Sequence, residues 1–140
     1  MKLGLLLASI FAIGVLVAPA AGSSTSARWF ITPGKNGVSC ELGLRRPYIH
    51  PGTYVWCLAY RGGRSYKTAR AVQMSSTAKL SVCRGLKCIG NNPDHDPTLR
   101  VGRSIDFGPF RCTSLTEGVR CVVPRLGHGF RLSRGRVKRL

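Results

Sequence analysis

The sequence predicts an all-β fold, a small antiparallel sandwich or barrel-like sheet built from disulfide-joined hairpins. Three observations carry that expectation: apolar residues recur at every second position, turn residues separate those runs, and six cysteines fall at hairpin-like spacings. Val38-Cys40-Leu42, Tyr54-Trp56-Leu58, Phe110-Cys112, Val119-Cys121-Val123 and Phe130-Leu132 all alternate with period two, and Ala69 to Met74 and Ala78 to Val82 are weaker strand candidates. No long stretch shows helical apolar periodicity, and 17 glycines and 8 prolines punctuate the chain too often to allow one.

Read from its start, the chain divides into four parts. Met1-Lys2 is a short positive start, Leu3 to Val17 is an uncharged apolar run, and Ala18-Pro19-Ala20 is a small-x-small cleavage site. Residues 1–20 therefore read as a removable signal peptide, too short in its apolar part for a comfortable membrane span. Residues 21–28, rich in serine and small residues, are expected to be a flexible leader. A single domain is expected over 29–134, and 135–140 is expected to fray as a basic tail.

An even number of cysteines after an export signal reads as a disulfide framework formed in an oxidising compartment. The expected location is secreted, extracellular or at the cell envelope. Cys40, Cys57, Cys83, Cys88, Cys112 and Cys121 admit 15 pairings. Sequence alone selects none of them, but local turns narrow the choice, and the nearest-neighbour set is the expected one. In Cys83-Arg84-Gly85-Leu86-Lys87-Cys88 a type II′ turn at Gly85-Leu86 would set Cys83 opposite Cys88. A tip at Leu115-Thr116-Glu117-Gly118 would do the same for Cys112 and Cys121, provided that Gly118 makes no bulge. Cys40 and Cys57 then close the remaining loop. No C-x2-C knuckle occurs, so no structural metal is expected, and an even count leaves no catalytic thiol.

Charge is the second large feature. The chain has 22 Lys+Arg against 5 Asp+Glu, for a net +17. A field of one sign this strong attracts polyanions, whether cell-wall polymer, anionic lipid or nucleic acid. The densest cations are C-terminal, and Arg131, Arg134, Arg136, Lys138 and Arg139 are the candidate polyanion-binding residues. Trp56, Tyr60 and Tyr66 near Arg61, Arg64, Lys67 and Arg70 have the composition of a nucleic-acid module, in which bases stack while phosphates are neutralised. An exported protein seldom meets nucleic acid, and half-core aromatics account for the same residues.

Residues for catalysis are sparse. Asp94-His95-Asp96 is the one acid cluster, but neighbours along an extended strand point to opposite faces, and Pro93 and Pro97 mark a loop. His50 lies in a His-Pro-Gly turn and His128 between two glycines. Gly102-Arg103-Ser104-Ile105-Asp106 lacks the closing glycine of a nucleophile elbow, and no phosphate-cradling glycine loop occurs. No catalytic, metal or cofactor residue is therefore assigned.

Three segments in order resemble a known family. They are Thr32-Pro33-Gly34-Lys35-Asn36-Gly37-Val38-Ser39-Cys40, Gly108-Pro109-Phe110-Arg111-Cys112-Thr113-Ser114 with Gly118-Val119-Arg120-Cys121, and Gly127-His128-Gly129-Phe130-Arg131-Leu132-Ser133-Arg134. Together they are similar to a family of small secreted actinobacterial proteins, catalogued as a domain of unknown function. The resemblance spans about residues 29 to 134 and implies export and cysteine pairing but no activity. The functional expectation is a non-enzymatic, monomeric basic module that binds an anionic envelope polymer, a lipid surface or an unknown protein. The alternatives are a cationic ribonuclease-type hydrolase using His95 or His128, and a cationic antibacterial effector.

Overall fold

The computed structural model describes residues 27–34, 37–45, 52–61, 65–88 and 97–140, with backbone alone at 44, 45 and 66. The expected signal peptide, His50 and Asp94-His95-Asp96 lie outside the described residues. Ten strands form: β1 (Arg28–Ile31), β2 (Ser39–Arg45), β3 (Gly52–Tyr60), β4 (Ala69–Ser75), β5 (Leu80–Arg84), β6 (Ser104–Phe107), β7 (Phe110–Leu115), β8 (Gly118–Val123), β9 (His128–Ser133) and β10 (Arg136–Arg139). They make two antiparallel five-stranded sheets in simple meander order, β1-β2-β3-β4-β5 and β10-β9-β8-β7-β6. The expected all-β class holds. The sheets are separate and do not close into a barrel, so the architecture is the sandwich.

One core lies between them. Phe30, Cys40, Leu42, Val55, Cys57, Val72 and Met74 of the first sheet pack with Phe110, Cys112, Val119, Cys121, Phe130 and Leu132 of the second. Burial of each large side chain contributes roughly 1.5–3 kcal/mol before the cost of ordering it. The Tyr54-Trp56-Leu58 set faces the other way. The inward set of β3 is Val55, Cys57 and Ala59, and Leu58 belongs to a smaller outer cluster with Ala69, Ala71 and Cys88. Both faces of β3 are covered, so period two is present but does not reveal which phase is inside.

The halves repeat one plan. Each sheet carries a disulfide between its second and third strands, Cys40–Cys57 and Cys112–Cys121, both with Cα atoms 4.1 Å apart. These are antiparallel partners of the closer, non-hydrogen-bonded kind. The inward row through the first is Phe30, Cys40, Cys57, Val72, Val82; through the second it is Ile105, Cys112, Cys121, Phe130, Arg139. The two rows face each other, since the sulfurs of Cys40, Cys57 and Cys121 all lie within 4.8 Å of one another. All three are disulfide sulfurs without a thiolate, so the grouping is a stacked pair of bridges and not a metal-ligand set.

Three local devices position the rest. β1 is covered at its outer side by a parallel bridge from Ile31 to Thr98, with Ile31 N–H donating to Pro97 O at 3.0 Å and Leu99 N–H to Ile31 O at 2.9 Å. The chain between β1 and β2 is closed by Thr32, 1 % exposed, whose Oγ1 accepts the Val38 N–H at 2.8 Å. Thr32→Val strands that buried amide and is expected to cost about 1–3 kcal/mol in urea unfolding, with an unchanged m-value. A loss below a few tenths would mean that water replaces the hydroxyl.

The third device is the Cys83–Cys88 bridge, with Cα atoms 5.4 Å apart. It differs from the expected hairpin. Arg84 pairs with Arg70 of β4, β5 ends there, and Gly85–Cys88 form a 3₁₀ turn that folds Cys88 onto the outer cluster. Gly85 does take a positive φ of 75°, which serves the strand-to-turn reversal instead of a type II′ tip. The second hairpin is as expected: Leu115 pairs with Gly118 and Cys112 with Cys121, without a bulge. Two boundaries shift. β1 begins at Arg28, inside the expected leader, and the expected basic tail is strand β10. Its backbone groups pair with β9, with Arg136 opposite Ser133 and Arg139 opposite Phe130, so residues 136–139 belong to the sheet.

Candidate anion-binding cleft

At one edge of the sandwich, terminal strands β5 and β10 flank an open cleft of about 590 Å³. Among the described residues its lining is Arg61, Lys67, Thr68, Arg70, Val82, Arg84, Gly135, Arg136, Val137 and Arg139. Six of these ten carry a fixed positive charge, none is acidic and none is aromatic. The six cations come from five elements: Arg61 follows β3, Lys67 lies in the 3₁₀ turn Tyr66–Thr68, Arg70 and Arg84 come from β4 and β5, and Arg136 and Arg139 from β10.

The inward alternation of the strands brings them together. Met74, Val72 and Arg70 lie on one face of β4, and Leu80, Val82 and Arg84 on the same face of β5. Where the core runs out at the edge, the in-phase residue is arginine in both strands, and Arg70 and Arg84 are direct cross-strand partners. Arg139 occupies the position in the second sheet that Val82 holds in the first. Gly135, buried with φ 69°, packs the β9–β10 turn onto this group: a Cβ there would stand 3.2 Å from Arg61 Cβ and 3.5 Å from Arg70 Cγ. The Cys83–Cys88 bridge fixes the end of β5 and with it Arg84.

Cations set directly opposite one another destabilise a sheet, by several tenths of a kcal/mol for each such pair. Between low-dielectric walls their fields add, which makes the cleft an attractor for anions. The three acids among the described residues, Asp106, Glu117 and Glu41, are placed elsewhere. Asp106 accepts two hydrogen bonds from Arg111, at 2.7 and 3.3 Å, and Glu117 pairs with Arg134. The Arg111 hydrogen bond, aided by its charge, holds the Asp106 carboxyl below the usual range, and Asp106 raises Arg111 in return. Glu41 lies on β2 and accepts the Tyr54 hydroxyl at 2.5 Å.

The five residues expected to bind polyanions therefore separate. Arg136 and Arg139 line the cleft, Arg134 is engaged by Glu117, and Arg131 and Lys138 face outward on the second sheet as direct cross-strand partners. The remaining cleft cations, Arg61, Lys67, Arg70 and Arg84, are spread over 24 positions and form no run in sequence. The one signal available was an arginine continuing the apolar alternation at the ends of β4 and β5. The aromatic–basic group also divides. Trp56 and Tyr60 pack on the outer cluster of the first sheet, while Arg61, Lys67 and Arg70 turn to the cleft. Arg64 lies outside the described residues. His128 is exposed at the start of β9, and among the described residues no carboxylate hydrogen-bonds it.

Comparison with protein-family models, curated proteins and solved structures finds no match for this chain.

Proposed function

We propose that the protein is a non-enzymatic, exported module that binds a polyanion of the cell envelope in the cleft between β5 and β10. The observation that carries this reading is the lining itself, six cations from five elements with no acid beside them among the described residues. Three disulfides suit an oxidising compartment, and among the described residues no helix is long and apolar enough to cross a membrane. Among the described residues no aromatic side chain lines the cleft, which favours a ligand recognised by its backbone charge over one recognised by its bases.

The reading is tested by salt-dependent binding of the oxidised protein to isolated cell-wall polymer, to anionic vesicles and to RNA, with RNA integrity followed in the same samples. Contact by six cations predicts a log–log salt slope of about −4 on a flexible chain. Arg70→Gln/Arg84→Gln is expected to weaken binding about tenfold and to flatten the slope by roughly one unit. Its thermal stability should be unchanged or higher, because the variant removes a like-charge pair. Binding unaffected by this variant, or RNA cleavage that depends on His128, would overturn the proposal.

A further inference from the structure

We infer that the ligand is a linear, phosphate-rich polymer without bases, and that it leaves the cleft over β10 to run along a second row of cations on the outer face of the second sheet. This deepens the cleft reading and rests on it. The row is set by strand register. Lys138 of β10 stands opposite Arg131 of β9, Arg131 opposite Arg120 of β8, and Arg120 opposite Thr113 of β7, which faces Ser104 of β6. Three cations thus stand on three successive strands, about 4.8 Å apart by strand spacing, and two hydroxyls extend the line. Arg120, Arg131 and Lys138 are all exposed, and none forms an ion pair among the described residues.

The first sheet supplies an internal control. The row there with the same relation to the disulfide is Trp29, Glu41, Trp56, Gln73 and Ser81. The same scaffold position is built in one half from aromatic, acidic and neutral residues and in the other from three adjacent cations. A sheet of this design does not need charge at these places, and adjacent like charges oppose its pairing. Three on consecutive strands are explained by an anion that spans them.

Geometry selects a polymer. The cleft opens at the edge between the sheets, whereas the row lies on an outer face, and the two meet at the four residues of β10: Arg136 and Arg139 line the cleft and Lys138 starts the row. A flat bilayer reaches one or the other. A flexible chain can turn over the edge strand and touch both. Among the described residues neither track presents an aromatic side chain on which a base would stack, which separates a polyphosphate-like chain from single-stranded nucleic acid.

The test compares tripolyphosphate, which is short enough to occupy the cleft alone, with long-chain polyphosphate, measured by calorimetry at fixed salt. The variants are Arg120→Thr/Arg131→Thr/Lys138→Thr and, with less disturbance of the sheet, Arg131→Thr alone. Expected is equal tripolyphosphate affinity for the wild type and both variants. Long-chain affinity should fall about tenfold or more in the triple variant, with a salt slope smaller by roughly two. Undiminished long-chain binding by both variants, with tripolyphosphate still bound, would overturn the track and leave the cleft reading intact. Failure of the wild type to bind either phosphate would remove both. Poly-uridylate bound as tightly as polyphosphate, with the same dependence on the row, would overturn the choice of a base-free polymer.

Discussion

Cys112→Ala alone is expected to be more damaging than Cys112→Ala/Cys121→Ala. The double variant loses one bridge closing a short loop, worth about 2–3 kcal/mol by chain-entropy arithmetic, and should remain folded on its other two. The single variant leaves a thiol at Cys121, whose sulfur stands within 4.8 Å of both sulfurs of the Cys40–Cys57 bridge. As a thiolate it can attack either one, forming a new inter-sheet disulfide and releasing Cys40 or Cys57 as the free thiol, with no external oxidant required. Burial holds back ionisation and slows the exchange, so the product should accumulate over hours at alkaline pH and remain scarce at pH 5. Peptide mapping after trapping with a thiol alkylator should find Cys121 joined to Cys40 or Cys57. Only intact Cys40–Cys57 in the single variant, with unfolding equal to that of the double, would show that the stacked bridges are isolated from each other.

That stacking explains which parts of the fold were legible. The runs around Cys40, Cys112 and Cys121 could be read because they sit at the centre of each meander, where one face is core and alternation is clean. Val55-Trp56-Cys57 and Val119-Arg120-Cys121 occupy equivalent places in the two sheets, and only register makes that equivalence visible. Around β3 the phase was lost, since Trp56, Leu58 and Tyr60 cover a second cluster while Val55, Cys57 and Ala59 enter the main one. β10 could not be seen as a strand. Val137 is the one apolar residue among its four, and what holds the strand is backbone pairing with β9, which leaves no mark on side-chain pattern. The turn at Gly85 was ambiguous for a local reason: a glycine with positive φ fits both a hairpin tip and a strand-to-3₁₀ reversal. Pairing of Arg84 with Arg70, a tertiary event, decides between them. The cleft depends on the same kind of event. Composition announced the cations, but only the meander brings β5 and β10 to one edge.

Gly118→Ala should be the most destabilising single-methyl change in the described structure. Gly118 opens β8 with φ 107°, a conformation L side chains rarely adopt, and a Cβ placed there would lie 2.0 Å from Leu132 O and 2.9 Å from Ser133 Cα. Those atoms are the backbone of β9, which cannot swing aside like a flexible side chain without giving up its pairing with β8. Strain and overlap together predict a loss of about 3 kcal/mol or more, a large part of the stability of a domain this size. Gly102→Ala separates the two causes. Gly102 also has a positive φ, 79°, but open space surrounds its missing Cβ, so that variant should show backbone strain alone, near 1 kcal/mol. The damage at Gly118 also reaches the binding surface, because β9 carries Arg131 and leads through Arg134-Gly135 to β10. Any Gly118→Ala protein that still folds should therefore bind polyphosphate more weakly, while Gly102→Ala binds as the wild type does. Equal unfolding free energies for the two variants would mean that β9 yields, and that the close approach of the two backbones at Gly118 is not a constraint on the sheet.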